Sequence, residues 1–132
     1  MSSGKAPGGA RRLWLWGPPV LWAGLIFFLS SRTDTSFVPG GPDWLWHGML
    51  YAVLGALALR AFSTTARRRP APAAAVAALL ACTLYGASDE IHQSLVPRRT
   101  PDWRDLAADA AGSTAGIVAG GALFSALARR AA

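Results

Sequence analysis

Four long runs with almost no charged residues constrain this chain more than any other feature. The run 13–31 contains no Asp, Glu, Lys or Arg, and 44–59 and 73–88 are equally free of them. Each run, with its flanks, approaches the ~20 residues that a helix needs to cross a ~30 Å hydrocarbon core. Backbone groups in lipid must be paired within their own segment, so the runs indicate helices. We therefore predict an all-α integral membrane bundle of four transmembrane helices, over about 13–31, 44–62, 73–96 and 105–128.

The balance of residue types supports a bilayer as the main partner of the chain. Hydrophobic residues make up 52% of the sequence and charged residues 15%, against about 25% charged residues in soluble domains. The net charge of +6 comes from basic residues at the edges of the apolar runs. No basic face with interleaved aromatic residues is visible, so nucleic acid is not a predicted partner. Cys82 is the only cysteine and cannot form an internal disulfide.

The N-terminal segment 1–12 is small, Gly-rich and basic, which is typical of a disordered tail. A basic segment before an apolar run is also typical of a signal peptide. However, 13–31 is long for that purpose and no A-x-A-like cleavage site follows it. We therefore interpret 13–130 as one transmembrane domain that follows a basic tail.

The distribution of basic residues predicts the orientation in the cell membrane. Both termini and the loop between the second and third helices carry arginines, which places these parts on the cytoplasmic side. The outer side then holds three further arginines, accompanied by Asp102 and Asp105. The residues used for the cytoplasmic side are Lys5, Arg11, Arg12, Arg67–Arg69, Arg129 and Arg130, and those outside are Arg98, Arg99 and Arg104.

The third run ends in the most polar stretch of the chain, YGASDEIHQSLVPRR at 85–99. Ionisable groups at membrane depth are costly and tend to mark function. At 100° per residue, the polar side chains fall within about 160° of the helix surface, and the apolar ones lie opposite. The polar set is Tyr85, Asp89, Glu90, His92 and Gln93, and the apolar set is Leu84, Ile91 and Leu95.

Two other helices carry polar residues at the same depth. Asp43, His47 and Tyr51 are spaced at i, i+4 on the second helix, and Asp105 and Asp109 share this spacing on the fourth. With a rise of about 1.5 Å per residue, all of them fall in the outer half of the bilayer. We expect residues of three helices to meet there.

A stripe of small residues follows on the fourth helix. Gly112, Gly116 and Gly120 repeat a small-xxx-small pattern, which allows helix backbones to approach closely in membranes. We predict that this stripe is a helix-packing face and that it could also support a homodimer.

Taken together, these motifs resemble the VanZ-like membrane proteins over about residues 20–120. The resemblance implies a membrane protein of the cell envelope, and the family's namesake is associated with lowered susceptibility to the glycopeptide teicoplanin. The chain departs from the family pattern at Trp44, where lysine is frequent, at Arg98, where glycine is common, and at Asp109, where asparagine is frequent. The matching motifs are FFLSS at 27–31, D-x-x-x-H-x-x-x-Y at 43–51, YGxSDExHQ at 85–93, VPxR at 96–99 and D-x-x-x-D-x-x-G at 105–112.

The first functional hypothesis is an outward-facing pocket for a lipid-linked or glycopeptide-like envelope component, with antibiotic resistance as a possible consequence. Arg98 and Arg99 would bind phosphate at its lip, because guanidinium groups suit planar bidentate contacts. The predicted ligand-binding residues are Asp43, His47, Tyr51, Tyr85, Asp89, Glu90, His92, Gln93, Arg98, Arg99, Asp105 and Asp109.

Three alternatives stay open. An intramembrane enzyme would use His92 or His47 as a general base, with Asp89 or Glu90 as orienting or acidic groups. A proton-coupled carrier would use the same groups as a relay. A purely structural network would only hold the helices together. No cofactor is expected, and no metal ligands are assigned, because Glu90 and His92 diverge on one helix.

Overall fold

The computed structural model describes residues 8–34, 40–63 and 71–131, and these form four α-helices with no strand among them. Each helix is long and apolar enough to cross a membrane, which confirms the predicted all-α membrane bundle. The arginines at 67–69, on which the predicted orientation partly depends, lie outside the described residues. The helices are α1 (Gly8–Ser30), α2 (Asp43–Phe62), α3 (Pro72–Gln93) and α4 (Trp103–Arg130).

The first helix begins earlier than predicted. Residues 8–12 were expected in a disordered tail, but α1 starts at Gly8. Extending an existing helix adds a hydrogen bond for each residue fixed, and Arg11 and Arg12 are good helix formers. The remainder of the predicted tail, residues 1–7, lies outside the described part of the chain.

The connection between α3 and α4 is longer than predicted, because α3 ends at Gln93 rather than at Val96. The amides of Leu95 and Val96 bond to carbonyls three residues back, each at 3.0 Å, so the chain tightens into turns before Pro97. The fourth helix starts at Trp103, where the Asp102 side chain accepts a bond of 2.9 Å from the Arg104 amide. That N-cap explains why α4 begins before the predicted Asp105.

Helices α2 and α4 run parallel and make the most extensive contact of the bundle. Added Cβ atoms on Gly112 and Gly116 would collide with the backbones of Gly48 and Ala52, respectively. The predicted packing face of α4 therefore meets α2 of the same chain. A homodimer through the same stripe stays a prediction.

Two hydrogen bonds near residues 22 and 23 attach helix α1 to α2 and α3. The Trp22 indole Nε1 donates to the Leu50 carbonyl at 2.8 Å, and the Tyr85 hydroxyl donates to the Ala23 carbonyl at 2.6 Å. The apolar residues predicted on the opposite side of the third helix are exposed. These residues are Leu84, Ile91 and Leu95.

Candidate functional site

The end of α1, the start of α2 and the α3–α4 connection meet at one end of the bundle. The Arg99 guanidinium holds them together, with bonds of 3.0 Å to Asp43 Oδ2, 3.3 Å to the Arg32 carbonyl and 3.4 Å to the Leu29 carbonyl. Near the other end of the same connection, the Asp102 amide donates to Glu90 Oε2 at 3.0 Å. The connection is thus anchored to two carboxylates that the sequence analysis assigned to the site.

His47 lies at the centre of the polar groups just below this connection. Its Nδ1 is 3.0 Å from Asp109 Oδ1, and its Nε2 is 4.0 Å from Asp105 Oδ2. Asp109 is 0% exposed and Asp105 is 4% exposed. The i, i+4 rows predicted on α2 and α4 therefore face each other, because the two helices are parallel and closely packed beside them.

Glu90 adds a third helix to this group. It is 9% exposed, and its Oε1 has no hydrogen-bond partner among the described residues. One potential ligand atom from each of His47, Glu90 and Asp109 lies within 4.8 Å of the others, and the same holds for Asp43, His47 and Asp105. These residues could hold a metal ion. All five were predicted as ligand-binding residues but not as metal ligands, because metal binding was considered only for Glu90 and His92 on one helix.

A second polar layer lies toward α1. Gln93 Nε2 donates to Asp89 Oδ2 at 3.1 Å, and both residues are buried. Tyr51 is 0% exposed, and its hydroxyl has no partner within the described chain. The rings of Tyr51 and Tyr85 are 6.2 Å apart. These four predicted site residues therefore lie beside the His47 group, with Tyr85 bonded to α1.

His92 makes its contacts elsewhere, against α1. Its ring stacks on Phe27 at 4.5 Å, and its Nε2 lies 3.0 Å from Ser31 Oγ. The Ser31 hydroxyl donates to the Phe27 carbonyl at 2.6 Å, so its proton is directed away from the imidazole. The arrangement is not that of a serine activated by a histidine base. The two predicted site histidines, His92 and His47, therefore make separate contacts in the structure.

The rim of this end of the bundle is basic and aromatic. Arg98 is exposed and adopts a positive φ of 67°. Trp44 and Trp103 are exposed, and the Arg104 guanidinium lies 6.0 Å from the centre of the Trp103 ring. Exposed tryptophans such as these are typical of residues at a membrane–water interface.

Two further residues, which were not predicted as site residues, border these polar groups. Ser113 is 0% exposed and lies beside the Cys82 thiol. It lies four residues after Asp109, so continuing the i, i+4 row of α4 would have found it. Gly86 provides space, because a Cβ there would lie 2.7 Å from Asp109 Oδ2. That signal depends on packing between helices and is not visible in sequence.

A model of the VanZ/LLP1 family matches residues 16–124, which is most of the chain and includes all of the polar groups described above. No curated protein and no solved structure matches the chain.

Proposed function

The chain belongs to the VanZ/LLP1 family, and from that premise we propose that it is a cell-membrane protein whose polar end binds an anionic, lipid-linked envelope component. In the proposed orientation this end faces outward and both termini are cytoplasmic. The supporting residues are arginines at the opposite end of the bundle, following the positive-inside rule. They are Arg11, Arg12, Arg129 and Arg130.

The attachment of the α3–α4 connection is the observation that carries this proposal. Arg99 ties it to Asp43, and the Asp102 amide ties it to Glu90. Arg98 directly precedes the first of these anchors, and its side chain is exposed. A guanidinium on an anchored connection can meet a lipid phosphate at the membrane surface through charge-assisted hydrogen bonds. Arg99, which is 15% exposed and already bonded, positions the connection instead of serving as a second phosphate ligand.

The unpaired atoms of the site favour binding over a purely structural network. Buried polar groups in proteins are normally hydrogen-bonded, and a network that only stabilises the bundle gains nothing from unpaired ones. Here Asp89, Glu90 and Asp109 each keep one buried oxygen without a partner among the described residues. We propose that donors or a cation bound at this site satisfy these oxygens, whereas Arg98 contacts the anionic group.

An apolar cavity of about 160 Å³ supports a ligand with a lipid tail. It lies between α1, α2 and α3 and is lined by Val20, Leu54, Phe62 and Cys82, among others. Tyr85 also lines it, and the Tyr85 ring is 6.2 Å from that of Tyr51 beside the polar group. A ligand with its phosphate at the rim and its chain in this cavity would use both surfaces.

The test is lipid binding by the purified full-length chain in detergent, with a polyprenyl phosphate and phosphatidylglycerol as probes. We expect Arg98→Ala to weaken binding of the phosphate probe about tenfold, since a hydrogen bond to a charged group contributes about 1.5–3 kcal/mol. Arg130→Ala removes the same charge at the opposite end of the bundle and should leave the affinity unchanged. Equal affinities for all three proteins would contradict the phosphate role.

A second candidate, an intramembrane acid–base enzyme, is favoured by the pair of His47 and Asp109. A carboxylate bonded to one imidazole nitrogen orients the ring of a general base. Turnover of a labelled envelope lipid by purified protein tests it. His47→Ala should abolish turnover, and His92→Ala should retain it, because His92 contacts only α1 in the interactions described. If the wild-type chain shows no turnover, the enzyme candidate is wrong and only the binding proposal stands.

Altered teicoplanin susceptibility is the cellular consequence that we propose for envelope binding. A deletion strain complemented with the wild-type chain or with Arg98→Ala measures it directly. If binding underlies the effect, the minimal inhibitory concentration should change with the wild-type chain and not with Arg98→Ala. If both complemented strains have the same minimal inhibitory concentration, teicoplanin susceptibility does not depend on phosphate binding by Arg98.

A further inference from the structure

We propose that His47, Glu90 and Asp109 bind one divalent transition-metal ion. These residues come from α2, α3 and α4, and one potential ligand atom from each lies within 4.8 Å of the other two. Ligand atoms around a tetrahedral zinc ion lie about 3.4 Å apart. Side-chain shifts of up to about 1.4 Å therefore bring the three atoms to coordinating distance.

Unpaired oxygens in the same place provide independent support. Glu90 Oε1 and Asp109 Oδ2 are both buried and have no hydrogen-bond partner among the described residues. Leaving a buried charged acceptor without a partner is destabilising, so such atoms favour a bound donor or cation. A metal ion satisfies both atoms at once.

The charge of the group also favours a cation. Three buried carboxylates, Glu90, Asp105 and Asp109, surround a single histidine. The nearby guanidinium of Arg99 is paired with Asp43 and two backbone carbonyls instead. Uncompensated charge at membrane depth is costly, and a dication at His47 would offset it.

The donor set determines the class of metal. Imidazole suits zinc, iron, nickel and copper, whereas magnesium and calcium prefer oxygen ligands alone. Asp105, with Oδ2 at 4.0 Å from His47 Nε2, is close enough to serve as a further ligand or to orient the ring. One nitrogen and two or three carboxylate oxygens therefore favour an ion such as Zn²⁺ over Mg²⁺ or Ca²⁺.

This inference does not depend on the proposed lipid ligand, and Zn²⁺ is the probe for both stoichiometry and affinity. The full-length chain is purified in detergent, treated with a chelator, reloaded with Zn²⁺ and analysed by elemental mass spectrometry without added lipid. We expect one tightly bound zinc ion per chain that excess Mg²⁺ does not displace. Glu90→Gln and Asp109→Asn should each weaken zinc affinity at least about tenfold.

Asp89→Asn is the matched control, because it removes a buried carboxylate next to Glu90 that is bonded to Gln93 and lies outside the ligand set. Its zinc content should equal that of the wild-type chain. The proposal is overturned if the wild-type chain retains no stoichiometric zinc, if Mg²⁺ replaces it, or if Glu90→Gln and Asp109→Asn bind zinc as the control does.

If the substituted chains fail to fold, Co²⁺ binding by the wild-type protein is measured instead. Co²⁺ bound by imidazole and carboxylates gives visible absorption bands distinct from those of the hydrated ion. Such bands at one equivalent, lost on addition of Zn²⁺, support the site, and their absence overturns it. Binding of the phosphate probe by the chelator-treated chain is measured separately. A failure of zinc binding and a failure of phosphate binding can therefore be distinguished.

Discussion

The contact between α2 and α4 differs sharply between its two ends. At the polar end, His47 meets Asp105 and Asp109 through side chains, with a shortest described distance of 3.0 Å. Farther along, Gly116 lies so close to Ala52 that no Cβ fits between them. One helix pair therefore provides both a polar group with unpaired atoms and a contact in which backbone meets backbone.

This difference indicates a division of roles along one helix face. Long side chains at the polar end could adopt several arrangements if the helices were free to slide. The small residues below them fix the axial position and separation of the two backbones, because close packing leaves few alternatives. We infer that the glycine contact holds His47 and Asp109 at hydrogen-bonding distance, and the following predictions test that relation.

The largest expected effect is at Gly116. Gly116→Ala should lower the free energy of unfolding by about 3 kcal/mol, the upper part of the range for overpacking, because the added Cβ would meet the Ala52 backbone. Gly120→Ala is the matched control: its Cβ would lie 3.4 Å from a Leu59 methyl group and should cost less than about 1 kcal/mol. Unfolding by denaturant in detergent measures both. Similar losses at the two positions would contradict the proposed division of roles.

An intermediate effect is expected at His47. His47→Ala removes the partner of two buried carboxylates and should cost about 2 kcal/mol of unfolding free energy. His92→Ala removes a stacking contact with Phe27 and one bond with Ser31 at a half-buried position, and should cost about 1 kcal/mol or less. Thermal unfolding of the two variants compares them. A larger loss for His92→Ala would show that the α1 contact, rather than the α2–α4 group, supports the polar end.

The smallest effects are expected at two tyrosines, and they should have opposite signs. Tyr85→Phe loses a hydrogen bond of 2.6 Å to the Ala23 carbonyl and should destabilise the protein by about 1 kcal/mol. Tyr51→Phe removes a buried hydroxyl that has no partner among the described residues and should stabilise the protein by up to about 1 kcal/mol. The same unfolding measurement detects both. Equal destabilisation would show that the Tyr51 hydroxyl has a partner in solution.

The local features of the fold could be predicted from sequence because each depends on neighbouring residues. The four helices follow from run length, and the exposure of Leu84 and Leu95 follows from the 3.6-residue period. Their ends could be placed only approximately. The start at Gly8 and the turn after Gln93 depend on small differences in local hydrogen bonding.

The sequence predicted which helix faces carry the candidate site, but not which residues of different helices contact each other. The i, i+4 spacing placed His47 and Asp109 on polar faces, and the structure joins them at 3.0 Å. His92 belongs to the same polar arc of α3 as Glu90, yet it contacts Phe27. A wide arc on one helix can face two neighbours, and sequence periodicity does not say where one neighbour ends and the next begins.

The sequence by itself determined that this is a four-helix membrane protein with costly polar groups at one end, because burial in lipid and helical period act on each segment separately. Only the tertiary structure decided which groups meet. The glycine stripe packs against α2 of the same chain, and Arg99 donates a hydrogen bond to Asp43. Glu90 lies close to His47 and Asp109. These pairings depend on the rotation and separation of whole helices, which are set by packing between segments distant in sequence.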